Sequence, residues 1–354
     1  MAGGVGTRFW PRSREKSPKQ FLEIIGRGTL IQSTVARLQG LIDVRDTFVI
    51  TNRLQKSLAA RQLPQLPEEN VIVEPVGRNT APCIGLAALH IRAIDPAAVM
   101  VVLTSDHLVE DTVEFQRILA LAIETARESG SLLTIGITPT HPETGYGYIQ
   151  IFNEDGTHNP YFSKGVLKVK TFAEKPTLEA AERFLASGDF LWNSGMFVWR
   201  ADVILERIRQ CLPDLHAELL KIDRAIGTPQ YQSVLDTVYG MIRGVSIDYG
   251  VMEKSDDVFV IPATFGWNDV GSWGEVYRIS GKDDSGNSIT GKVIPKDTSN
   301  SYIYSPNKLV ATIGIHDLII INTDDALLIC RGDRSQDVKE VCDHLKRKQM
   351  NEYL

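Results

Sequence analysis

The sequence predicts an α/β layered domain over residues 1–281, followed by a smaller β-rich domain with a terminal helix over residues 282–354. Short apolar runs alternate with helical patterns through most of the chain, which is typical of a sheet wound with helices. Beyond the polar stretch at residues 282–288, short strand patterns follow one another without helices between them. The change from α/β to β-only patterning indicates a second domain.

The first strand patterns are short and apolar, and their positions are residues 47–51, 70–74, 99–103 and 132–137. Helical patterns lie between them at residues 31–41, 81–93 and 113–129. Unbroken apolar runs such as 100–103 are typical of strands covered on both faces, as in a parallel sheet.

The middle of the chain predicts a different kind of strand. Apolar and lysine residues alternate at 167–170, which indicates a half-exposed strand that ends at residues 174–176. Thr177 is a good cap for a following helix, and Asp202 is predicted to cap another after a strand at 196–199. We interpret this region as one wall of a cleft.

The C-terminal strand patterns lie at residues 302–304, 309–313, 318–322 and 327–330, and the last helix is predicted from Ser335.

Composition excludes several classes of protein. The chain has 354 residues, is 43% hydrophobic and 23% charged, and carries a net charge of −6. This charge argues against a nucleic-acid footprint, which would be basic. No apolar run reaches the roughly 20 residues of a membrane span, and no signal peptide is recognisable. The four cysteines form no CxxC pair, so a reducing, cytoplasmic location is expected.

The chain opens with a glycine-rich loop, residues 2–8. Glycine lacks Cβ, so its backbone amides can approach a phosphate chain closely, and consecutive amides form an anion-binding concavity. Arg8 and Lys19 add two cations nearby, between prolines that restrict the chain. The P-loop pattern is absent, and GxGxxG fails at Phe9, which disfavours a dinucleotide-dependent oxidoreductase. Glycines and cations together favour a phosphate loop over a plain turn.

Ordered sequence blocks resemble the sugar-phosphate nucleotidyltransferases, and within them the guanylyltransferases that act on mannose 1-phosphate. The blocks are GGVGTRFWP (3–11), PKQFL (18–22), EPVGRNTAP (74–82), SDH (105–107), PETGYGYI (142–149), EKP (174–176), WNSGMF (192–197) and GWNDVGSW (266–273). They extend over nearly the whole chain, so the match is specific.

The resemblance implies a Rossmann-like nucleotidyltransferase sheet and a C-terminal domain similar to a left-handed β-helix that often assists homodimer formation. It also implies an apolar strand ahead of the glycine loop, where this sequence has only Met1 and Ala2. We therefore expect exposed backbone and apolar surface beside that position.

The resemblance also implies a reaction in which GTP and mannose 1-phosphate give GDP-mannose and pyrophosphate, with Mg²⁺ as cofactor. Asp106 follows a predicted strand and Asp269 lies in a glycine-rich loop; by resemblance these two aspartates hold the metal. Arg8 and Lys19 are the catalytic cations. His107 is interpreted as a structural neighbour, because an ionised sugar phosphate needs no general base.

The remaining site residues divide into two groups by resemblance. The nucleotide-binding group is Ala2, Gly3, Gly4, Gly6, Thr7, Arg78, Asn79, Thr80 and Ser105. The sugar-phosphate group is Gly147, Glu174, Lys175 and Asn193. Arg78 or Asn79 could read guanine, which offers acceptors at O6 and N7 and donors at N1 and N2. The tryptophans at 192, 199, 267 and 273 are interpreted as core residues.

Two alternatives remain open at this point. One is a nucleotidyltransferase for another hexose 1-phosphate or another nucleotide. The other is a non-catalytic regulatory paralogue, against which the full set Arg8, Lys19, Asp106 and Asp269 argues.

Overall fold

The computed structural model describes residues 1–153 and 159–354. Its strands are β1 Val49–Asn52, β2 Val71–Glu74, β3 Val99–Val102, β4 Leu108–Val109, β5 Leu132–Ile137, β6 Gly147–Ile151, β7 Leu167–Glu174, β8 Phe190–Arg200, β9 Val258–Ala263, β10 Trp267–Asn268, β11 Ser288–Lys296, β12 Tyr302–Ile313, β13 Leu318–Asn322 and β14 Leu327–Arg331. Its α-helices are α1 Leu30–Ala36, α2 Lys56–Gln62, α3 Thr80–Ile94, α4 Thr112–Ser129, α5 Leu178–Ser187, α6 Ala201–Cys211, α7 Pro213–Asp223, α8 Tyr231–Met241, α9 Ile247–Gly250, α10 Trp273–Ile279 and α11 Val338–Arg347.

Local sequence signals explain where many helices begin and end. The Asp111 carboxylate accepts a hydrogen bond from the Glu114 amide at the start of α4, and Gly130 ends that helix in the left-handed conformation at φ +65°. Thr177 caps α5 as the sequence predicts. The prediction that Asp202 caps a helix is wrong. Helix α6 already begins at Ala201, so Asp202 lies in its first turn, where it pairs with Arg200.

A six-stranded sheet forms the centre of the first domain, in the order β3-β8-β5-β9-β7-β6. Only β5 and β9 are parallel neighbours within it, because β8 runs antiparallel to β3, β5 and β6. The parallel sheet expected from the apolar run at 100–103 is therefore wrong for β3. Cover on both faces is right, since helices α3, α6, α7 and α8 pack on one face and α4 on the other, but Val101 and Leu103 stay half-buried.

A gap separates this sheet from the parallel pair β1–β2. The Met1 α-amino group donates to the Leu103 carbonyl at 2.8 Å, the Ser105 amide donates to the Met1 carbonyl, and the Ala2 amide donates to the Ile50 carbonyl. These first two residues thus pair with Ile50 within β1 and with the residues that follow the carboxyl end of β3. Along the rest of β1 and β3 the facing edges line a cavity of about 570 Å³ with mainly apolar walls. This is the exposed surface that the sequence leads us to expect.

The second domain consists of a four-stranded sheet in the order β11-β12-β13-β14, followed by α11. Strands β11, β12 and β13 are parallel, and β14 is antiparallel to β13. The predicted strands at 302–304 and 309–313 form one long strand, β12. An α/β domain followed by a β-rich domain confirms the predicted fold class, while the left-handed coil and the boundary at 281/282 stay predictions.

The two domains share one apolar cluster beside the glycine loop. Trp273 lies at its centre and packs on Phe9, with ring centroids 4.9 Å apart, and on Tyr302 of β12. From α11, the Cys342 thiol contacts the Thr7 carbonyl at 3.4 Å. The glycine loop is therefore supported from behind by the C-terminal domain.

No helix in the described ranges has the length and apolar character needed to cross a membrane.

Candidate active site

The glycine loop presents a row of free backbone amides. Within the described part of the chain, the amides of Gly3, Gly4, Val5 and Gly6 donate to no acceptor. The carbonyls of the same loop are held from behind: the Gln20 amide donates to Ala2 and Gly4, and the Ser13 hydroxyl donates to Val5. Because its acceptors are turned inward and its donors are free, the loop is suited to bind an anion.

Gly6 allows this loop to fold tightly over Lys19. Its φ of +66° lies in the left-handed region, and a Cβ at this position would come within 2.6 Å of the Lys19 Cβ. Any larger residue would be strained and would push the lysine away. Gly6, predicted from the sequence as a nucleotide contact, thus also makes room for Lys19.

Lys19 joins the two predicted metal-binding aspartates. Its side chain is 5% exposed, and its ammonium lies 2.9 Å from Asp106 Oδ2 and 2.7 Å from the Asp269 carbonyl. Arg8 is exposed and makes no ion pair or hydrogen bond through its side chain with any described residue. One cation is thus fixed in the floor of the site, and the other is free at its rim.

A short antiparallel ribbon brings Asp106 and Asp269 together although they lie 163 positions apart in the chain. Strand β4 begins two residues after Asp106, and β10 ends one residue before Asp269, with Leu108 paired to Asn268. In an antiparallel pair these flanking residues must lie at the same end. Gly271 permits the Asp269 carboxylate to fold over it, because a Cβ there would lie 2.9 Å from Oδ2.

Charge keeps Asp106 ionised. Burial alone would raise its pKa, but the Lys19 ammonium holds the pKa below the usual value of an aspartate. Its Oδ2 binds Lys19, while Oδ1 accepts no hydrogen bond from a described residue. That oxygen is available to a ligand.

The residues of this site fit Mg²⁺. No group of three or more His, Cys, Asp and Glu side chains suitable for a metal occurs in the described residues. Mg²⁺ does not require one, since it usually binds one or two carboxylates and completes its shell with phosphate oxygens and water. Asp106 and Asp269, joined through Lys19, supply the two carboxylates.

His107 has the structural position that the sequence predicts. Its Nδ1 accepts a hydrogen bond from the Trp267 indole at 3.1 Å, and the two rings pack edge to face. Burial lowers the pKa of His107, so the ring is uncharged at neutral pH.

The sugar-phosphate candidates meet at one end of the sheet. Gly147 of β6 is paired with Glu174 of β7, and a Cβ on Gly147 would lie 2.6 Å from Glu174 Oε2 and 3.5 Å from the Asn193 Cβ. Lys175 is exposed and its ammonium lies 3.5 Å from Glu174. Backbone amide, carboxylate, amide side chain and ammonium therefore converge, as hexose hydroxyls and a phosphate require.

Asp248 is a residue of this pocket that sequence reasoning missed. The Asn193 side-chain amide donates to its Oδ1 at 2.8 Å, and burial raises the pKa of Asp248. The sequence signal was weak, because Asp248 lies on the four-residue helix α9 without any periodic pattern. Its partner is 55 residues away in the chain.

The base segment is arranged differently from the sequence hypothesis. The Arg78 guanidinium donates to the carbonyls of Tyr239 and Gly240 at the end of α8. Asn79 caps α3 through the Thr80 amide, and the Thr80 hydroxyl accepts from the Ile247 amide. These side chains hold secondary structure in place, so the hypothesis that Arg78 or Asn79 reads the base gains no geometric support. Ser105 is buried and pairs through its backbone with Met1.

The tryptophan prediction is correct. Trp192, Trp199, Trp267 and Trp273 are all buried. Trp192 and Trp267 enclose the ring of Tyr146, whose hydroxyl donates to Asp269 Oδ1 at 2.9 Å. Burial and the neighbouring carboxylate raise the pKa of Tyr146 above its usual value, so the hydroxyl keeps its proton and acts as a donor.

A phosphate loop, a fixed lysine and two aspartates at the edge of an α/β sheet define a nucleotidyltransferase. Residues 1–286 match the family model described as nucleotidyl transferase, and residues 291–345 match the MannoseP isomerase/GMP-like beta-helix domain. The chain is 42% identical to mannose-1-phosphate guanylyltransferases of Klebsiella pneumoniae and Escherichia coli, over its whole length and 74% of each relative. A crystal structure from Thermus thermophilus, described as a mannose-1-phosphate geranyltransferase, superposes with a TM-score of 0.86 at 32% identity over 98% of both chains. The chain belongs to the mannose-1-phosphate guanylyltransferase family.

Proposed function

We propose that the chain transfers GMP from GTP to α-D-mannose 1-phosphate, with Mg²⁺ as cofactor, to give GDP-mannose and pyrophosphate. The observation that carries the proposal is Lys19, which links Asp106 to Asp269 directly beneath the free amides of the glycine loop. A reaction between two anions needs such donors and cations beside carboxylates that can hold a metal ion.

The chemistry is an in-line substitution. An oxygen of the sugar phosphate attacks the α-phosphorus of GTP, a new P–O bond forms, and the bond to the β-phosphate breaks as pyrophosphate leaves. No proton moves, because the sugar phosphate is ionised near neutral pH. When bound by Asp106 and Asp269, Mg²⁺ would supply charge neutralisation for the phosphates.

The chain's own residues then provide position and charge. The loop amides hold the triphosphate, and Arg8 closes over it from the rim. Lys19 stabilises the charge that develops near the α-phosphate, while Glu174, Asn193 and Lys175 orient the sugar phosphate. Holding both anions in line is the larger part of catalysis in such a reaction.

A substrate panel tests the proposal. Pyrophosphate release is measured for GTP, ATP and UTP against mannose 1-phosphate and glucose 1-phosphate, each with and without EDTA. We expect release with GTP and mannose 1-phosphate and its loss on chelation. Release with UTP and not GTP would establish the alternative nucleotide, and no release with any pair would favour a non-catalytic paralogue.

We also propose that the enzyme forms a homodimer through an apolar patch on the C-terminal sheet. Ile294, Leu309 and Ile313 are between 55% and 70% exposed. Ile294 of β11 pairs with Ala311, so the three side chains lie on neighbouring positions of β11 and β12. A contiguous exposed aliphatic patch is typical of an association surface, and a twofold axis would let the patch cover itself.

The dimer is tested by charge at the patch. Ile313→Asp is expected to change the light-scattering mass from two chains to one. Val113→Asp is the matched control, because Val113 is 80% exposed on α4 of the other domain. A dimer that survives Ile313→Asp would contradict this surface.

We further propose that the enzyme works in the cytoplasm, where its four free thiols stay reduced.

A further inference from the structure

Tyr146 lies where the sugar pocket and the metal site meet. It precedes Gly147 in the chain, and its hydroxyl donates to Asp269 Oδ1 at 2.9 Å. Among the described side chains, Tyr146 alone donates a hydrogen bond to the Asp269 carboxylate. Lys19 donates to the backbone carbonyl of Asp269 instead. The direction of that carboxylate is therefore set by Tyr146.

The tyrosine ring is itself held in place. Its centroid lies 5.3 Å from that of Trp192 and 5.1 Å from that of Trp267, at interplanar angles of 79° and 64°. Trp192 precedes Asn193 of the sugar pocket, and Trp267 lies two residues before Asp269. Edge-to-face packing of the half-buried Tyr146 ring against two buried tryptophans restricts the rotation of the phenol, so its hydroxyl is kept at one point.

The three rings form a single contact chain beneath the site. We define this set, Tyr146, Trp192 and Trp267, as the aromatic brace. Each ring lies next to a site residue in the sequence. Tyr146 precedes Gly147, Trp192 precedes Asn193, and Trp267 lies two residues before Asp269. The brace thus joins three segments that are distant in sequence and that the reaction needs in one place.

We propose that Tyr146 is a positioning residue that directs the Asp269 carboxylate toward a divalent cation and fixes it relative to the sugar pocket. This inference rests on the proposed function, since it assumes that Asp269 is a metal ligand. Groups that hydrogen-bond to a ligating carboxylate or imidazole commonly change metal affinity by about 10- to 100-fold when they are removed. Without the phenol hydroxyl, Oδ1 can turn away, and the metal must restore the orientation when it binds.

Tyr146→Phe tests this directly, because it removes one oxygen and keeps the ring in the brace. Binding of Mn²⁺ alone is measured by calorimetry, without substrates. We expect the dissociation constant to rise about 10-fold. In the full assay kcat should fall at low metal concentration and return toward the wild-type value at high concentration, while KM for mannose 1-phosphate changes less than kcat.

Tyr148→Phe is the matched control. Its hydroxyl accepts from the Glu143 amide and makes no contact with Asp269. Unchanged Mn²⁺ affinity in Tyr146→Phe, or an equal loss in both variants, would overturn the inference. If the wild-type chain itself failed to bind Mn²⁺ or to release pyrophosphate from GTP, the proposed function would be at fault instead, and the two failures are thereby distinguished.

Discussion

Asp106→Asn is expected to lower kcat by about 10³-fold while the protein stays folded. The change removes one negative charge from the proposed metal site and leaves a neutral amide oxygen, in place of a carboxylate, to accept from Lys19. Removal of a single preorganised group that stabilises transition-state charge costs about 10² to 10³ in kcat, and a metal ligand belongs at the upper end. The measurement is pyrophosphate release from GTP and mannose 1-phosphate at saturating substrate and metal.

The fold should tolerate this change. The Asp106 side chain is 34% exposed, so solvent screens its pair with Lys19, and loss of the pair costs about 2 kcal/mol rather than the full penalty of a buried ion pair. Unfolding free energies of native proteins are about 5–15 kcal/mol, which leaves the native state populated. Asp256→Asn, an exposed aspartate far along the chain, is the control and should retain full activity. Undiminished kcat in Asp106→Asn would remove Asp106 from the mechanism.

An apolar segment of about five residues fused ahead of Met1 is expected to raise Tm by about 5 °C. The facing edges of β1 and β3 line a cavity of about 570 Å³, and Met1 and Ala2 already pair with Ile50 and with the residues that follow β3. Residues added before Met1 would extend from it into this cavity as an extended strand. Each aliphatic side chain buried there contributes about 1.5–3 kcal/mol, against an ordering cost of about 1.5 kcal/mol per residue.

Backbone hydrogen bonds to both edges add to this gain, so the net effect is stabilising. A sequence such as Val-Ile-Val-Ile-Leu suits a strand that is buried on both sides. The matched control is a segment of the same length made of Gly, Ser and Asp, which cannot fill an apolar cavity. Thermal unfolding followed by circular dichroism is the measurement, and equal Tm values for the two fusions would contradict the prediction.

Local signals predicted much of the fold. Strands β5 and β13 have the predicted bounds, and α4 differs from its prediction by one residue, because apolar periodicity and caps are properties of neighbouring residues. The direction of pairing was not predictable in this way. The run at 100–103 is covered on both faces as expected, but its observed partner β8 is antiparallel and lies almost 100 residues later. Burial leaves a pattern in the sequence, whereas strand order does not.

The same distinction applies to the site. Arg8, Lys19, Asp106 and Asp269 could be selected by residue type and resemblance, and the structure brings the last three into contact. The roles of Gln20, Asp248 and Tyr146 were not predicted, because each acts through hydrogen bonds to residues distant in the sequence. The Arg78 guanidinium donates to the carbonyls of Tyr239 and Gly240 at the end of α8, and its contact with a base stays a prediction.

The contacts behind the glycine loop have a consequence for how the enzyme should respond to shortening. The Trp10 indole donates to the Tyr353 carbonyl, the Trp273 indole donates to the Trp10 carbonyl, and Cys342 contacts Thr7. Proteolytic trimming of the last 17 residues, 338–354, would remove two of these three supports at once. Because this tail holds the proposed triphosphate loop from behind, its loss is expected to weaken nucleotide binding.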